Sequence, residues 1–251
     1  MSGNIRIMKV SIITTCKNSE NTISNTLKSV SSQKYKNIEY IIIDGSSTDN
    51  TLKILNEYQS CIDLIVSEED GGIYNAMNKG INLATGEIIG FLNSDDYFIA
   101  PSVIENIVKK FYDTDADFVY SNILLNNNDQ IHEWVCNEYI PSSFSQGWHP
   151  PHPGLYVKKN VYNKIGLFDE TLRISADYDF MLRLFEIGNF KGAYLPEFIV
   201  NYRLGGTSSK NIKNILIGNY NIYRSLKKNS YKVNILKFFY KRLFPKLKRI
   251  F

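Results

Sequence analysis

Four short apolar runs alternate with stretches of helical periodicity through the first third of this chain, and that alternation leaves few folds open. Lys9-Val10-Ser11-Ile12-Ile13-Thr14-Thr15 is rich in β-branched residues and reads as a buried parallel strand. Residues 21–31 place Ile23, Leu27 and Val30 at helical spacing, with Ser19 or Asn21 able to cap the helix. Ile38-Glu39-Tyr40-Ile41-Ile42-Ile43-Asp44 is a second strand, and a turn at Gly45-Ser46 leads to a helix over 51–59 with Asp49 as its cap. Leu64-Ile65-Val66 is a third strand, followed by a loop at Asp70-Gly71-Gly72 and a helix from Ile73 to about Ala84. Residues 88–92 form the fourth strand. A β-α-β-α-β-α-β order of this kind predicts an α/β fold with a mostly parallel, doubly wound sheet.

In such sheets ligands sit beyond the carboxyl ends of the strands. Asp44, the loop at Asp70 and the run Asn93-Ser94-Asp95-Asp96 all fall there, so three acidic loops converge on one crevice. Paired carboxylates at a strand end repel and lose hydration, and a cation or a ligand's donors would neutralise them. The plain alternative is that Asp95 or Asp96 caps the helix expected after Pro101.

The second half is less regular. Residues 102–112 read as a helix, 116–121 and 130–136 as strands, and 154–157 as a further strand. His149-Pro150-Pro151-His152-Pro153-Gly154 is an extended loop, because proline denies it helix and ladder bonds. Ser175-Ala176-Asp177-Tyr178-Asp179 opens a helix with carboxylates at its amino end.

Composition excludes several classes. The chain is 43% hydrophobic and 22% charged, ordinary for a globular protein. Cys16, Cys61 and Cys136 are odd in number and widely spaced, which argues against a disulfide framework or a zinc site and fits a reducing cytoplasm. The first residues are polar and the first apolar run is short, so no secretory signal is expected, and no apolar run is long enough to span a bilayer. Charge is unevenly spread. Of 29 Lys and Arg residues 13 follow Glu197, while none of the 25 Asp and Glu residues does. From Lys232, Val233, Leu236, Phe239, Tyr240, Leu243 and Phe244 recur at helical spacing between cations, the pattern of a basic amphipathic helix on an anionic membrane surface. Packing against the domain or a second subunit is the alternative. Nucleic acid is not expected as a partner, since no nucleic-acid module accompanies the charge. The domains read as 1–210 for the α/β body and 211–251 for the helical tail.

Taken in order, five segments resemble the inverting glycosyltransferases of family 2, which have the GT-A nucleotide-sugar fold. They are Val10-Ser11-Ile12-Ile13-Thr14-Thr15-Cys16-Lys17-Asn18, Ile43-Asp44-Gly45-Ser46-Ser47-Thr48-Asp49, Asp70-Gly71-Gly72-Ile73-Tyr74-Asn75-Ala76-Met77-Asn78-Lys79-Gly80, Leu92-Asn93-Ser94-Asp95-Asp96, and Gly166-Leu167-Phe168-Asp169-Glu170 through Asp177. The resemblance spans roughly residues 8–210 and is nearest to bacterial enzymes that build O-antigen and other surface polysaccharides.

The resemblance implies roles. Asp44 and Asp70 would face the nucleotide, and Thr14, Thr15, Lys17, Asn18, Asn78, Asn93 and Ser94 would line the donor side. By themselves Asp44 and Asp70 are equally ordinary turn carboxylates. Asp95, with Asp96 beside it, would ligate Mn²⁺ or Mg²⁺ with the diphosphate; the family's usual first aspartate is Asn93 here. Asp177 would be the general base, with Ala176 where the family often has glutamate and Asp179 as a rival. His152 and Trp148 would line the acceptor site, although either residue could simply pack. Tyr202-Arg203-Leu204-Gly205-Gly206-Thr207-Ser208-Ser209 resembles a mobile segment over the diphosphate, with Arg203 and Ser208 as phosphate contacts. The implied activity is metal-dependent inverting transfer of a hexose from a UDP-sugar to a sugar on a polyprenyl diphosphate, forming a β-linkage at the inner face of the cell membrane. A non-catalytic nucleotide-sugar-binding scaffold at the membrane is the alternative, and there is room for a homo-oligomer. A nucleotidyltransferase is disfavoured because no Gly-rich basic phosphate loop opens the first strand-helix unit, and a dinucleotide dehydrogenase because no Gly-x-Gly-x-x-Gly follows a strand.

Overall fold

The computed structural model describes residues 7–127, 130–205 and 212–231. Ser208 and the stretch from Lys232 onward therefore lie outside the described residues.

The expected alternation is present almost residue for residue in the first half. It comprises β1 (Val10–Cys16), α1 (Ile23–Ser31), β2 (Ile38–Asp44), α2 (Thr51–Glu57), β3 (Leu64–Ser67), α3 (Ile73–Leu83) and β4 (Ile88–Phe91). Then follow β5 (Tyr97–Phe98), α4 (Val103–Thr114), β6 (Phe118–Asn127), β7 (Gln130–Trp134), β8 (Leu155–Lys158), α5 (Lys159–Ile165), α6 (Ala176–Leu182), β9 (Gly192–Arg203) and α7 (Ile212–Lys228). One sheet runs β3-β2-β1-β4-β8-β6-β9-β5, with β7 on β6. The first four strands are parallel, as expected. The other half is mixed: β8 is antiparallel to both β4 and β6, whereas β9 is parallel to β6. β6 outlasts β8, which pairs only with Phe118–Tyr120, and β7 continues that edge from Ile123. β4 and β8 approach so closely that a Cβ on Gly90 would sit 2.2 Å from the Tyr156 ring.

Strand alternation sorts the core into two layers. Ile13, Ile41, Ile43, Ile89 and Phe91 face α3, α6 and α7, while Ile12, Tyr40, Ile42 and Ile88 face α1 and α4. α7 belongs to the first layer through buried Ile222 and Leu226, and the Tyr231 hydroxyl donates to Glu186 at 2.7 Å. The packed body thus continues past residue 210, where sequence alone ended it. Tyr202 and Arg203, expected to open a mobile segment, instead close β9.

At the amino end of the strands, away from the acidic loops, Glu39 is a buried carboxylate that ties three elements together. It accepts from Lys9 at 2.9 Å, from the Thr85 backbone N–H at 2.7 Å, and from the Ser11 and Thr85 hydroxyls. Burial alone would push its carboxyl up, but these donors outweigh it and bring it down to about 2, from the ordinary 4.5. A depressed carboxylate stabilises the fold above the unfolded value and loses that contribution as pH falls through the folded one. Glu39→Gln is therefore expected to lower stability by about 1–3 kcal/mol at pH 7. The deficit should shrink between about pH 4.5 and about pH 2. Urea unfolding of both proteins at pH 7 and pH 3 checks this; an equal deficit at both would rule out a charge effect.

Candidate functional site

The donor side is built on the carboxyl ends of β1 and β2. Asp44 is fully buried and its carboxylate accepts from the Ser47 N–H at 3.0 Å, from the Ser67 hydroxyl at 2.7 Å and from the Ser47 hydroxyl. The turn carboxylate reading thus describes its contacts at the carboxyl end of β2. Asn18, with φ of 51°, accepts from the Thr48 N–H at 2.8 Å and so joins the β1 and β2 loops. A Cβ on Gly45 would lie 2.6 Å from an Asp70 carboxylate oxygen and 3.4 Å from the Lys17 stem. That close approach brings Lys17, Asp70 and the end of β2 to one spot. Thr14 and Thr15 are buried beneath it; Thr14 donates to the Leu92 carbonyl at 2.7 Å and so holds β1 to the acidic motif.

Within that motif the two aspartates do different work. Asp96 is fully buried; one carboxylate oxygen accepts from the Asn93 amide at 2.8 Å and the other from the Arg203 N–H at 2.9 Å. Burial, with the Asp95 charge next, pushes its carboxyl up to about 8. Fully buried between the Asn93 amide and the Arg203 backbone, it anchors the end of β9. Asp95 is half-buried and borders a polar cleft with Arg203. Burial raises its carboxyl, while its own backbone hydrogen bond and Arg203 oppose the rise. Ser94 is tied to Ser19 at 2.8 Å. Among the described residues no group of three His, Cys, Asp or Glu side chains gathers around one point that could hold a metal. A single desolvated carboxylate of this kind fits a hard divalent cation that is shared with diphosphate oxygens, and not a resident ion in an all-protein cage.

Asp177 lies in the first turn of α6, half-buried, and accepts the Tyr74 hydroxyl at 3.0 Å. Burial, then the charge of Asp177, holds the Tyr74 phenol well above its ordinary range, so it stays a donor. His152 sits between the rings of Phe91 and Phe168, at 5.4 and 5.6 Å. Burial depresses its imidazole and the Asp177 charge opposes that. Tyr202 senses all three acids: burial and then Asp96, Asp95 and Asp177 raise its phenol. The charges of the acidic motif and of the base candidate are thus both felt at Tyr202. Asp179, the rival, is 1% exposed and paired inward with Arg183 at 2.9 Å.

Two expected site residues have structural contacts of their own. Asn78 is buried and clips the 166–170 loop, accepting from the Phe168 N–H at 3.0 Å and donating to Glu170 at 2.8 Å. Trp148 packs among Tyr120, Tyr139, Phe144 and Phe185 and donates to the Cys136 carbonyl at 2.6 Å. Sequence reasoning passed over Tyr74 and Tyr202. Tyr74 had a signal, since it lies two residues after Gly72 at the start of a helix that follows an acidic loop.

With this geometry in view, residues 11–176 match the model of glycosyl transferase family 2. An uncharacterized glycosyltransferase of Mycobacterium tuberculosis is 32% identical over 179 residues, 69% of this chain and 68% of that protein. The Escherichia coli UDP-Glc:alpha-D-GlcNAc-diphosphoundecaprenol beta-1,3-glucosyltransferase WfgD is 36% identical over 133 residues, 52% of each protein. Staphylococcus aureus TarS 1-349 in complex with UDP-GlcNAc superposes over 87% of this chain and 66% of its own, with a TM-score of 0.72 at 20% identity. The mannosyltransferase PcManGT of Pyrobaculum calidifontis, in complex with GDP-Man and Mn²⁺, gives a TM-score of 0.66 at 18% identity over 86% of this chain and 64% of its own. Family match, sheet order and the crevice at the strand ends agree: this chain belongs to glycosyltransferase family 2 and has the GT-A fold.

Proposed function

We propose that this protein moves a hexose from a UDP-sugar to a lipid-linked sugar in bacterial surface polysaccharide assembly, with inversion and a β-linked product. The observation that best supports the reading is Asp177, half-buried in the first turn of α6 and held by the Tyr74 hydroxyl at 3.0 Å, in a chain of glycosyl transferase family 2. Lys17, Asp70 and the loops at Asn18 and Asp44 would receive the nucleotide. Asp95 would hold Mn²⁺ or Mg²⁺ together with the diphosphate, and Arg203 lies close enough to add positive charge. The cation supplies charge neutralisation on the departing diphosphate. Asp177 takes the proton of the acceptor hydroxyl as that oxygen attacks the anomeric carbon opposite the leaving group. One displacement with one base inverts the centre. Asp179, the other carboxylate of that turn, points inward to Arg183 and is not placed to form a covalent intermediate.

Tyr74 fixes one oxygen of Asp177 and leaves the other for the acceptor. Tyr74→Phe keeps the ring packed on Phe168, 5.7 Å between centroids, but frees the carboxylate to turn. The expected result is a fall in kcat of about tenfold with unchanged KM for the donor, since misorientation of a reacting group acts on the chemical step. Steady-state kinetics with saturating acceptor measures both constants; an effect on KM alone would contradict a positioning role.

Support for a UDP donor and a lipid-linked acceptor comes from the names that WfgD and the TarS complex carry. The GDP-Man complex of PcManGT has the same fold, so the deciding experiment is a panel of UDP-sugars and GDP-mannose, with Mn²⁺ and with EDTA, reading nucleotide release and binding. Metal-dependent release from one UDP-sugar supports the reading, and absence of any UDP binding by calorimetry removes it. We further infer a membrane-facing tail. No helix among the described residues is long and apolar enough to cross a membrane. The outward side of α7 carries exposed Leu216, Ile217 and Tyr220 between Lys213, Arg224 and Lys227 and contains no acid, a composition suited to an anionic surface.

A further inference from the structure

Asp177 follows, by two residues, a left-handed turn in the backbone. Ser175, at the amino end of α6, has φ of 71° and ψ of 23°, values that cost energy for any residue with a side chain. Serine at a helix start ordinarily caps its own helix with its hydroxyl. Here the hydroxyl makes no such cap and instead donates to the Gly218 carbonyl of α7 at 3.3 Å. A strained residue of this kind persists only where its surroundings hold it.

The hold comes from α7. Asn221 is 7% exposed, and its side-chain amide donates to the Ile174 carbonyl at 2.9 Å, one residue before the turn. Gly218 lies three positions earlier on the same face of the helix, and a Cβ there would sit 3.2 Å from both the Ile174 side chain and the Ser175 hydroxyl. Ile222 and Leu226 of α7 pack in the same core layer as Ala176 and Tyr178, the neighbours of Asp177. Helix α3 holds the same segment of chain, through Tyr74 to Asp177 at 3.0 Å and through Asn78 to the Phe168 carbonyl at 3.0 Å. The two helices have separate tasks: Tyr74 fixes the carboxylate, and Asn221 fixes the backbone that carries it.

We propose that Asn221 is a positioning residue for the general base. By holding the Ile174 carbonyl it sets the left-handed turn at Ser175, and with it the direction from which Asp177 meets the attacking hydroxyl. This rests on the reading of Asp177 as base, but not on the identity of the sugar transferred. The test uses the full chain and the UDP-sugar selected by the donor panel, with water as acceptor, and reads UDP release. Asn221→Ala and Ser175→Ala are each made alone and with Asp177→Asn, and UDP affinity is measured by calorimetry. Asn221→Ala is expected to lower kcat about tenfold with unchanged KM for the donor and unchanged UDP affinity, because misorientation of a reacting group acts on the chemical step. In the Asp177→Asn background it should change the residual rate by less than about twofold, since nothing is left there to position. An equal fall in both backgrounds marks a merely structural role and overturns the proposal. Unchanged kcat, or loss of UDP binding, in Asn221→Ala overturns it too. Ser175→Ala removes the other tie to α7 at a half-buried site and carries the same expectations if Asn221→Ala fails to fold. A near-normal rate in Asp177→Asn alone removes the base reading itself, so the two failures are read apart.

Discussion

Asp177→Asn is expected to lower sugar transfer by roughly a hundred- to ten-thousand-fold, the range for losing a general base, while UDP binding stays at the wild-type level. The amide is nearly isosteric, and its carbonyl oxygen can still accept the Tyr74 hydroxyl that Asp177 accepts at 3.0 Å. Fold and crevice are therefore kept, and what is removed is the capacity to take a proton. Turnover with acceptor and calorimetry with UDP separate the outcomes. Near-normal turnover would move the base elsewhere, and loss of UDP binding would give Asp177 a structural role. Asp179→Asn should behave differently. That side chain is 1% exposed and paired with Arg183, whose guanidinium also reaches the Leu167 carbonyl at 2.8 Å. Its removal should cost stability before it costs chemistry.

Asp95→Ala has the second large expected effect. In Mn²⁺ its affinity for UDP should fall at least about tenfold, to the value that both proteins share in EDTA. The argument is the division of labour in the motif. Asp96 is fully buried against Asn93 and the Arg203 backbone, whereas Asp95 borders the polar cleft, so Asp95 is the better placed of the two to offer a carboxylate to a cation. Calorimetric titration with UDP in Mn²⁺ and in EDTA measures the difference directly. An equal loss in both buffers would make Asp95 a nucleotide contact without metal. Asp96→Asn should instead loosen the β9 end and lower the melting temperature, because a buried acceptor of two N–H groups is replaced.

Much of the first half was legible because local pattern and global fold agree there. β-branched runs form parallel strands buried on both faces, and the loops between them carry glycine and aspartate where the backbone must turn. The place of the acidic loops at the carboxyl ends was legible too, from the strand order, while Asp177 as general base comes from the resemblance and is a proposal. The mixed half was harder. β9 is parallel to β6 with a bulge near Ser121 and Asn122, and no local signal in residues 192–203 announces which strand it will join. For Asn78 and Trp148 the structure adds contacts that the sequence does not carry. A polar or aromatic side chain near a motif looks available in sequence, and only packing reveals that its hydrogen bonds are already made, to Phe168 and Glu170 in one case and to Cys136 in the other.

The amino-acid sequence by itself determined the order of strands and helices in the first half, the acidic character of the crevice and the cationic excess after Glu197, because each follows from neighbours along the chain. The tertiary structure alone decided which of two adjacent aspartates is fully buried and which oxygen of Asp177 is pinned. Those depend on contacts between residues about a hundred positions apart, such as Tyr74 with Asp177 and Asp96 with Arg203, and such contacts leave no periodicity in the chain.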